Sequence, residues 1–554
     1  MRLLESESDV PDLLHPRAEV RVDKEALRLG LSLAFASGVA GGLFSDALDR
    51  STLAPSTWDR ASFAHDLFLP TFVATCMRVR IGTYEPPLAT NHLVRILSSP
   101  PSDPAIVRHR RAILAELDSV SALRAETEKL YLLLCRFRTL LEGAAGVGKW
   151  DPQRRQLDLL ALAKDIFDCL ALGFAGAKSG LSRLAAFGQR VRKGEPYRSL
   201  HDLLRYDGHL GTVDLRVSVG ADGRIRGFDI AAIKESSDNP FVSSPWQRWL
   251  AKIELFLRGY QFGEGEVMAR LIDAVFDGLE DDIVHFVQLT GDLELYLGAL
   301  AFRDLAASSG FPVCLPDLVD AGRPRQLCGL FNPFLLAQGV RVVPCDLTTD
   351  RHDTTLLVTG PNSGGKTRLL QSIGIAQVLA QSGLFVPAAS ARLSLCPGLV
   401  VSFIEEARAD QAEGRLGTEL LRIRALFERL PPGAMVILDE LCSGTNPSEG
   451  EEIFELVIRM LSLLRPQALI TTHFLAFAAR LEQEGTLGDL RFAQVELDPD
   501  QQPTYKFVPG VARTSLAGKA AARLGVTGDQ LLSLIERNAA SRALLEESTR
   551  SAAE

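Results

Sequence analysis

The sequence predicts an α/β domain over residues 311–540, preceded by a mainly helical region. The α/β prediction depends on short apolar runs that have the length and composition of buried parallel strands. These runs cover residues 356–358, 435–438 and 468–472. The helical prediction depends on apolar residues that recur at every third or fourth position across 112–200 and 244–310.

A stretch of sixteen uncharged residues, 29–44, comes early in the chain. It is shorter than the roughly 20 residues that a membrane-spanning helix needs, and four glycines and two serines weaken it further. A buried helical hairpin is therefore favoured over a membrane anchor, and we expect no stable association with a membrane.

A β-hairpin is predicted near residues 205–235. Residues alternate between apolar and polar across 211–219, and a second strand is expected over 224–230. Ala221-Asp222-Gly223 between them forms a natural turn. From Lys178 to Lys234 the chain has eleven Lys or Arg against six Asp or Glu, although the whole chain has a net charge of −9.

Residues 360–367 predict a phosphate-binding loop, because they lie between an apolar strand and a helix-like segment. Glycines in such a loop let backbone N–H groups close around an anion, and the helix N-terminus adds its partial positive charge. Lys366 would reach the β- and γ-phosphates, and the Thr367 hydroxyl would bind Mg²⁺. The predicted ATP-binding residues are Gly360, Pro361, Asn362, Ser363, Gly364, Gly365, Lys366 and Thr367.

Two later strands also end in chemically useful side chains. Asp439 and Glu440 follow the apolar run 435–438, and His473 follows 468–472. Asp439 would support the metal, Glu440 would activate a water molecule, and His473 would sense the γ-phosphate. Each signal alone also fits a solvated strand end or an ordinary histidine, so the interpretation depends on their order after the glycine loop.

These motifs resemble those of the MutS family ATPase domain. Thr359-Gly360-Pro361-Asn362-Ser363-Gly364-Gly365-Lys366-Thr367 is similar to the family's T-G-P-N-x-G-G-K-[ST] motif. Residues 439–450 are similar to D-E-[IL]-x-x-G-T-x-x-x-x-G, and 471–474 to T-T-H-[YF]. The Asn-Pro-Ser-Glu-Gly ending at 446–450 resembles the second bacterial branch more than mismatch-repair MutS itself.

The resemblance implies a P-loop NTPase of the ABC-like type that works with ATP and Mg²⁺ as a homodimer. In the family, a signature loop and the loop after the acidic pair contact the partner subunit. The corresponding residues here are Thr418, Ser443, Gly444 and Thr445. Residues 515–526 are similar to the closing helical segment that holds the dimer together.

The family places its DNA clamp midway through a helical lever, where this chain has its basic hairpin. The resemblance therefore points to double-stranded or branched DNA as a partner, contacted through phosphates. The candidate contacts are Arg190, Arg192, Lys193, Arg216, Arg224 and Arg226. The alternative is a solvated charged face on a packing hairpin.

Three departures from the family pattern limit what the resemblance carries. Residues 1–85 contain no Phe-x-Glu wedge and have no room for the mismatch-reading domain. No Smr-type nuclease domain is expected after residue 540. The signature loop, 413–421, keeps only Thr418 as a hydroxyl residue, which leaves open how strongly ATP is held across a dimer.

Four segments are expected along the chain, because glycine and proline cluster at 309–333 and mark a boundary there. They are an N-terminal helical segment (1–85), an all-α core or lever with the hairpin clamp (86–310), the ATPase domain with its dimerisation segment (311–540) and a frayed tail (541–554). Eight scattered cysteines without a C-x-x-C pair favour reduced thiols and a cytoplasmic location.

Two functions from different classes remain open at this point. The first is a dimeric, ATP-dependent DNA clamp that recognises DNA structure rather than mismatches, in repair or recombination. The second is a nucleotide-switched ATPase that binds a protein partner through the hairpin and does not contact DNA.

Overall fold

The protein is described by a computed structural model. It describes residues 10–37, 41–143, 152–209, 213–219, 225–233, 264–403, 414–441, 447–485, 487–513 and 524–551.

Helices account for most of the first 308 residues and recur throughout the rest of the chain. They are α1 (Lys24–Ser37), α2 (Leu43–Arg50), α3 (Leu69–Cys76), α4 (Thr90–Ser98), α5 (Pro104–Ser119), α6 (Ser121–Leu141), α7 (Pro152–Gly173), α8 (Ser182–Lys193), α9 (Glu195–His209), α10 (Glu264–Ile283), α11 (His285–Ser308), α12 (Pro333–Ala337), α13 (Lys366–Ser382), α14 (Gly414–Arg429), α15 (Pro447–Leu464), α16 (Leu475–Glu484) and α17 (Gly528–Ser551).

Strands form one early hairpin and two later sheets. They are β1 (Val213–Val219), β2 (Ile225–Ile233), β3 (Asp317–Leu318), β4 (Arg325–Leu330), β5 (Cys345–Thr349), β6 (Thr355–Thr359), β7 (Ser390–Leu393), β8 (Leu399–Ser402), β9 (Met435–Leu438), β10 (Gln467–Thr472), β11 (Leu490–Leu497) and β12 (Pro503–Pro509).

The chain divides into two compact units, each built from separate stretches. Unit 1 takes its residues from Met1–Pro55, Met77–Ile96 and Asp103–Phe302. Unit 2 takes them from Ser56–Cys76, Leu97–Ser102 and Arg303–Glu554. This division differs from the expected N-terminal segment of 1–85, because residues 56–76 pack with the C-terminal α/β sheet instead.

Unit 1 is a helical assembly in which α7 and α8 pack closely. Gly188 of α8 allows this approach, because a Cβ there would lie 2.5 Å from the backbone nitrogen of Ala171 in α7. Phe167 and Phe187 fill the same core, with ring centroids 6.3 Å apart. The predicted β-hairpin is also present in this unit, with Arg216 opposite Asp229 in an antiparallel register.

The segment before α1 is fixed to α11 by a buried polar cluster. The Arg21 guanidinium donates to Asp292 and, at 3.3 Å, to Asp12, and all three side chains are buried. The Leu13 N–H donates to Asp292 at 3.0 Å, and the Tyr296 hydroxyl donates to the Leu13 carbonyl at 2.7 Å. Each buried carboxylate thus accepts a hydrogen bond. The cluster joins two segments that lie about 280 residues apart in the chain.

Unit 2 contains a six-stranded sheet in the order β12-β11-β6-β10-β9-β8. Neighbours pair in parallel except for β11 and β12, which are antiparallel. Strands β6, β9 and β10 consist entirely of buried residues, as expected when helices cover both faces of a parallel sheet. A second sheet has the order β3-β7-β4-β5.

Residues 56–76 cover one edge of the six-stranded sheet. The Trp58 indole N–H donates to the Cys396 carbonyl at 2.9 Å, and the Ser62 hydroxyl donates to the carbonyl of Leu399 in the edge strand β8 at 2.6 Å. Further along, Phe72 of α3 packs against Phe334 of α12 with centroids 6.2 Å apart. This segment therefore protects an edge that could otherwise pair with another chain.

Residues 29–44 form the end of α1 and the start of α2, with 38–40 outside the described residues. One face is buried, including Leu31, Ala34 and Phe35, whereas Leu29 is 76% exposed and Leu33 is 64% exposed. Burial is thus one-sided rather than complete. Within the described ranges, no helix is both long enough and apolar enough to cross a membrane.

The end of the chain also differs from expectation. Helix α17 continues through Ser551, whereas the segment after residue 540 was expected to fray. The sequence Ala543-Leu544-Leu545-Glu546-Glu547 consists of strong helix formers, which accounts for the continuation.

The buried Glu294 predicts a pH dependence of unit 1. It accepts hydrogen bonds from the Ala89 N–H at 2.8 Å and the Tyr131 hydroxyl at 3.0 Å, but burial raises its pKa from 4.5 to about 7. Because the folded pKa is above the unfolded one, this stabilisation is complete below about pH 4.5 and is lost as the pH rises through 7.

Wild-type protein should therefore lose about 3 kcal/mol of unfolding free energy relative to Glu294→Gln between pH 4.5 and 7.5, since each pKa unit is worth about 1.4 kcal/mol. Urea unfolding of both proteins, followed by circular dichroism at three pH values, measures this difference. If the unfolding free energies of the two proteins changed in parallel with pH, the raised pKa of Glu294 would be contradicted.

The close contact of α7 with α8 predicts that a methyl group added at Gly188 destabilises the fold. Gly188→Ala should lower the free energy of unfolding by about 1–3 kcal/mol, because its Cβ would overlap the α7 backbone. The matched control is Gly176→Ala, where a Cβ would meet no atom within 4 Å. Equal stabilities of the two variants in urea unfolding would contradict the close helix contact.

Candidate nucleotide-binding site

The glycine loop follows β6 and leads directly into α13. Gly360 and Gly365 have φ angles of 144° and 89°, and Ser363 between them has a φ of 65°. An added Cβ on Gly360 would lie 2.5 Å from the Val495 side chain in β11. Both the backbone conformation and the close strand therefore require glycine at this position.

Lys366 is buried in the first turn of α13, where its ammonium group is held by the loop itself. Its Nζ donates to the carbonyls of Gly360 and Pro361 at 3.0 and 3.2 Å and lies 3.6 Å from the Glu440 carboxylate. Burial lowers the pKa of Lys366, while Glu440 and Asp439 oppose that shift. The cation is thus placed to exchange carbonyl oxygens for phosphate oxygens.

Asp439 is held at both carboxylate oxygens by threonine hydroxyls. Thr367 of α13 donates to Oδ2 at 2.6 Å, and Thr471 of β10 donates to Oδ1 at 2.5 Å. The structure therefore brings together Thr367 and Asp439, the two residues predicted to bind the metal.

The donor set at this point suits Mg²⁺. One hydroxyl and one carboxylate leave room for phosphate and water oxygens, which this ion usually keeps. Within the described part of the chain, no group of three or more His, Cys, Asp or Glu side chains is placed to hold a metal on its own. The residues thus fit a metal that arrives with a phosphate ligand.

Glu440 has a left-handed backbone, with a φ of 48°. Its N–H donates to the Thr471 hydroxyl at 2.8 Å, and its side chain, 22% exposed, lines a cavity beside the glycine loop. A partly exposed carboxylate beside a phosphate loop can orient or deprotonate a water molecule.

The cavity has a volume of about 650 Å³ and combines the loop with an apolar wall. The loop side includes Asn362 to Thr367, the apolar side includes Val340, Val342, Val343, Leu330 and Leu335, and Tyr505 and Phe507 of β12 contribute aromatic rings. Its size is in the range typical of small-molecule sites. The lining therefore combines groups that can take phosphates with apolar surface that can take a flat ring.

Among the remaining predicted catalytic and interface residues, only His473 has a described side chain. His473 follows β10 but is exposed, with its ring 4.2 Å from that of Phe474, and it is not among the described residues that line the cavity. Thr418 lies in α14, and its side chain is outside what the structure describes. Ser443, Gly444 and Thr445 fall outside the described residues.

The predicted DNA-contacting cations belong either to α8 or to the hairpin. Arg190 of α8 pairs with Asp282 at 2.7 Å, and Arg192 pairs with Asp168 at 2.9 Å, so both stabilise the helical packing of unit 1. Lys193 is exposed at the end of α8. Arg216 and Arg226 lie in β1 and β2 with side chains beyond the described part, and Arg224 is outside the described residues.

Sequence reasoning did not assign roles to Thr471, Tyr505 or Phe507, which the structure brings to the site. It also missed Asn332, which accepts from the N–H groups of Phe334 and Leu335 and donates to Gln371 of α13. An available signal was the pair Asn332-Pro333, a typical helix start.

Comparison with known proteins places these features in a family. Residues 356–540 match MutS domain V. The chain is 30% identical over 286 residues to Endonuclease MutS2 of Thermomicrobium roseum, which is 49% of this chain and 35% of that protein. It is 34% identical over 191 residues to Endonuclease MutS2 of Carboxydothermus hydrogenoformans, which is 34% of this chain and 24% of that protein.

A longer match of lower identity extends further along the chain. Endonuclease MutS2 of Streptococcus thermophilus is 27% identical over 348 residues, which is 59% of this chain and 42% of that protein. In each comparison the chain thus spans less than half the length of the relative. The glycine loop, the acidic pair and the strand that ends in Thr471 all lie within the matched domain, so residues 356–540 form a domain of the MutS domain V type, and the chain is similar to proteins of the MutS2 branch.

Proposed function

We propose that this chain is an ATPase that binds Mg²⁺-ATP in the cavity of unit 2 and uses hydrolysis to control binding to DNA. The single observation that carries the ATPase proposal is that Lys366, Asp439 and Glu440 lie close together at the carboxyl ends of the central strands. MutS-family proteins bind ATP, usually with Mg²⁺, which is consistent with this site.

Each residue of the site has a role that its position supports. The backbone N–H groups of the loop and Lys366 bind the phosphates, and Thr367 and Asp439 hold Mg²⁺. Mg²⁺ held by these residues would neutralise charge on the phosphates. Glu440 accepts the proton of the attacking water, and Asn362, which lines the cavity, contacts the γ-phosphate region. His473 does not line the cavity, so its position does not support the predicted γ-phosphate contact.

The apolar end of the cavity accounts for binding of the base. Tyr505 and Phe507 offer aromatic surface, and Val340, Val342 and Val343 form an apolar wall. Burial of a flat aromatic base between such groups is favourable without a charged partner. The aromatic and apolar part of the lining supports a nucleoside triphosphate over inorganic polyphosphate as the ligand.

A homodimer is the second part of the proposal. Residues 524–535 expose many large apolar side chains, which is unusual for a surface without a partner. They are Leu524, Val526, Leu531, Leu532, Leu534 and Ile535, which are 42–71% exposed. In a two-fold dimer this surface would be buried against a second copy, with Thr418, Ser443, Gly444 and Thr445 facing the partner's nucleotide.

DNA binding, in repair or recombination, is the third part, and the hairpin supports it. Arg216, Arg224 and Arg226 would contact phosphates of duplex or branched DNA, with Lys193 as a further exposed cation. Arg190 and Arg192 contribute less, since each already pairs with a carboxylate in unit 1. Nuclease activity, which the relatives' names state, is not part of the proposal.

The alternative function is a nucleotide-switched ATPase whose hairpin docks a protein partner. The observation that favours it is the position of Asp229 directly opposite Arg216 in the hairpin register. Opposite charges at paired positions in a sheet attract each other, which reduces the positive field available to DNA.

The ATPase proposal predicts that Glu440→Gln retains ATP binding and loses hydrolysis by about 100-fold or more, since general bases contribute roughly 10²–10⁴. Phosphate release measures hydrolysis, and the rise in melting temperature with Mg²⁺-ATP measures binding. Glu482→Gln, at an exposed position of α16, is the matched control. Wild-type turnover by Glu440→Gln would contradict the role of this carboxylate.

The DNA proposal predicts that joint replacement of Arg216, Arg224 and Arg226 by Gln weakens binding to all DNA classes. The slope of log affinity against log salt should fall by about 2–3, since each lost phosphate contact removes roughly 0.9. Fluorescence anisotropy with duplex, mismatched, branched and single-stranded DNA measures both quantities.

The matched control for that experiment replaces three exposed arginines of unit 1 that pair with acids. Arg78, Arg80 and Arg154 are suitable, since their side chains are 58–70% exposed and they pair with Glu85 or Asp158. If the ATPase responds to no DNA and the hairpin variant binds DNA like the control, the protein-partner alternative is favoured.

A further inference from the structure

Thr471 lies at the junction of the three strand ends that form the site. It is completely buried in β10, which runs between β6 and β9 in the sheet. Its partner in β6 is Val358, and the preceding residue, Ile470, pairs with Leu438, the residue before the acidic pair. The strand order therefore places this hydroxyl beside Asp439 and Glu440.

The Thr471 hydroxyl uses both its donor and its acceptor capacity on two consecutive acidic residues. It donates to Asp439 Oδ1 at 2.5 Å and accepts from the Glu440 N–H at 2.8 Å. A hydroxyl is among the few side-chain groups that can do both at once. The two acids are thereby linked through a group that belongs to neither their own strand nor the glycine loop.

The Glu440 backbone needs such an anchor. Its φ of 48° is in the left-handed region, which non-glycine residues adopt at an energetic cost and keep only where surrounding contacts hold them. This conformation turns the Glu440 side chain out of the strand and toward the cavity, 3.6 Å from Lys366 Nζ. The hydrogen bond from its N–H to Thr471 is the contact that fixes the turn.

We propose that Thr471 is a positioning residue for hydrolysis: its hydroxyl holds Asp439 and Glu440 in the arrangement that the reaction needs. The proposal rests on the proposed ATPase function and adds a residue to it. Thr471 does not touch the cavity, so its effect passes through the two carboxylate residues.

Loss of this hydroxyl should affect turnover more than binding. Thr471→Val keeps the shape of the side chain but leaves Asp439 Oδ1 and the Glu440 N–H without this partner. The phosphate loop, Lys366 and the apolar wall would be unchanged. Because small misplacements of a catalytic group can cost up to about 100-fold, kcat should fall by roughly 10- to 100-fold while KM for ATP changes by less than about threefold.

The experiment compares Thr471→Val, Thr471→Ala and Thr471→Ser in the full chain with wild type, measuring kcat, KM and the melting temperature with and without Mg²⁺-ATP. Thr471→Ser should restore most of kcat, because it retains the hydroxyl. Thr349→Val is the matched control: its buried hydroxyl donates to the Arg351 carbonyl at 2.7 Å, about 13 Å along β5 from Cys345 at the cavity.

The outcomes separate this proposal from the ATPase proposal. If wild type neither binds nor hydrolyses ATP, the proposed function itself fails. If wild type hydrolyses ATP and Thr471→Val matches it, only the role of Thr471 is overturned.

Two further results would also overturn the role of Thr471. The first is a kcat for Thr471→Ser as low as that for Thr471→Val or Thr471→Ala. The second is full recovery of Thr471→Val by excess Mg²⁺, which would show that the hydroxyl affects only metal affinity through Asp439 and does not position Glu440 for hydrolysis. If Thr471→Val does not fold, Thr471→Ala and Thr471→Ser carry the same comparison.

Discussion

The order of strands in the central sheet is the constraint on which the site depends. Because β10 lies between β6 and β9, the strand that leads to the glycine loop and the strand that leads to the acidic pair are not adjacent in the sheet. Asp439 bridges this gap by accepting hydrogen bonds from Thr367 on one side and Thr471 on the other. The carboxylate therefore joins the phosphate-binding side of the site to its hydrolytic side.

Unit 1 shows a different use of buried charge. Arg21 lies between Asp12 and Asp292 without access to water, an arrangement in which desolvation offsets much of the attraction. Burial raises the pKa of Asp292, whereas in Asp12 the opposing effects of Arg21 and His15 outweigh burial and lower it to about 2. We therefore expect such a cluster to contribute less to net stability than to the position of residues 10–22 on α11.

How much could be predicted from the sequence depends on how far apart in the chain the interacting residues lie. The glycine loop, the acidic pair and the hairpin depend on residues that are close in the chain, so their local patterns were sufficient. Thr471 was part of a recognised motif, but its contacts with Asp439 and Glu440 could not be predicted, because they depend on which strands become neighbours. Arg190 and Arg192 resembled free cations for the same reason: Asp282 and Asp168, which pair with them, come from distant parts of the sequence.

The chain passes between the two units five times, at residues 55–56, 76–77, 96–97, 102–103 and 302–303. Neither unit is therefore a continuous segment that could be inherited, exchanged or expressed as a cassette. A fragment that begins after residue 302 would lack Trp58 and Ser62 and would leave the edge strand β8 uncovered. During synthesis, unit 2 likewise cannot close its sheet edge with residues 56–76 until its strands, more than 300 residues later, have emerged.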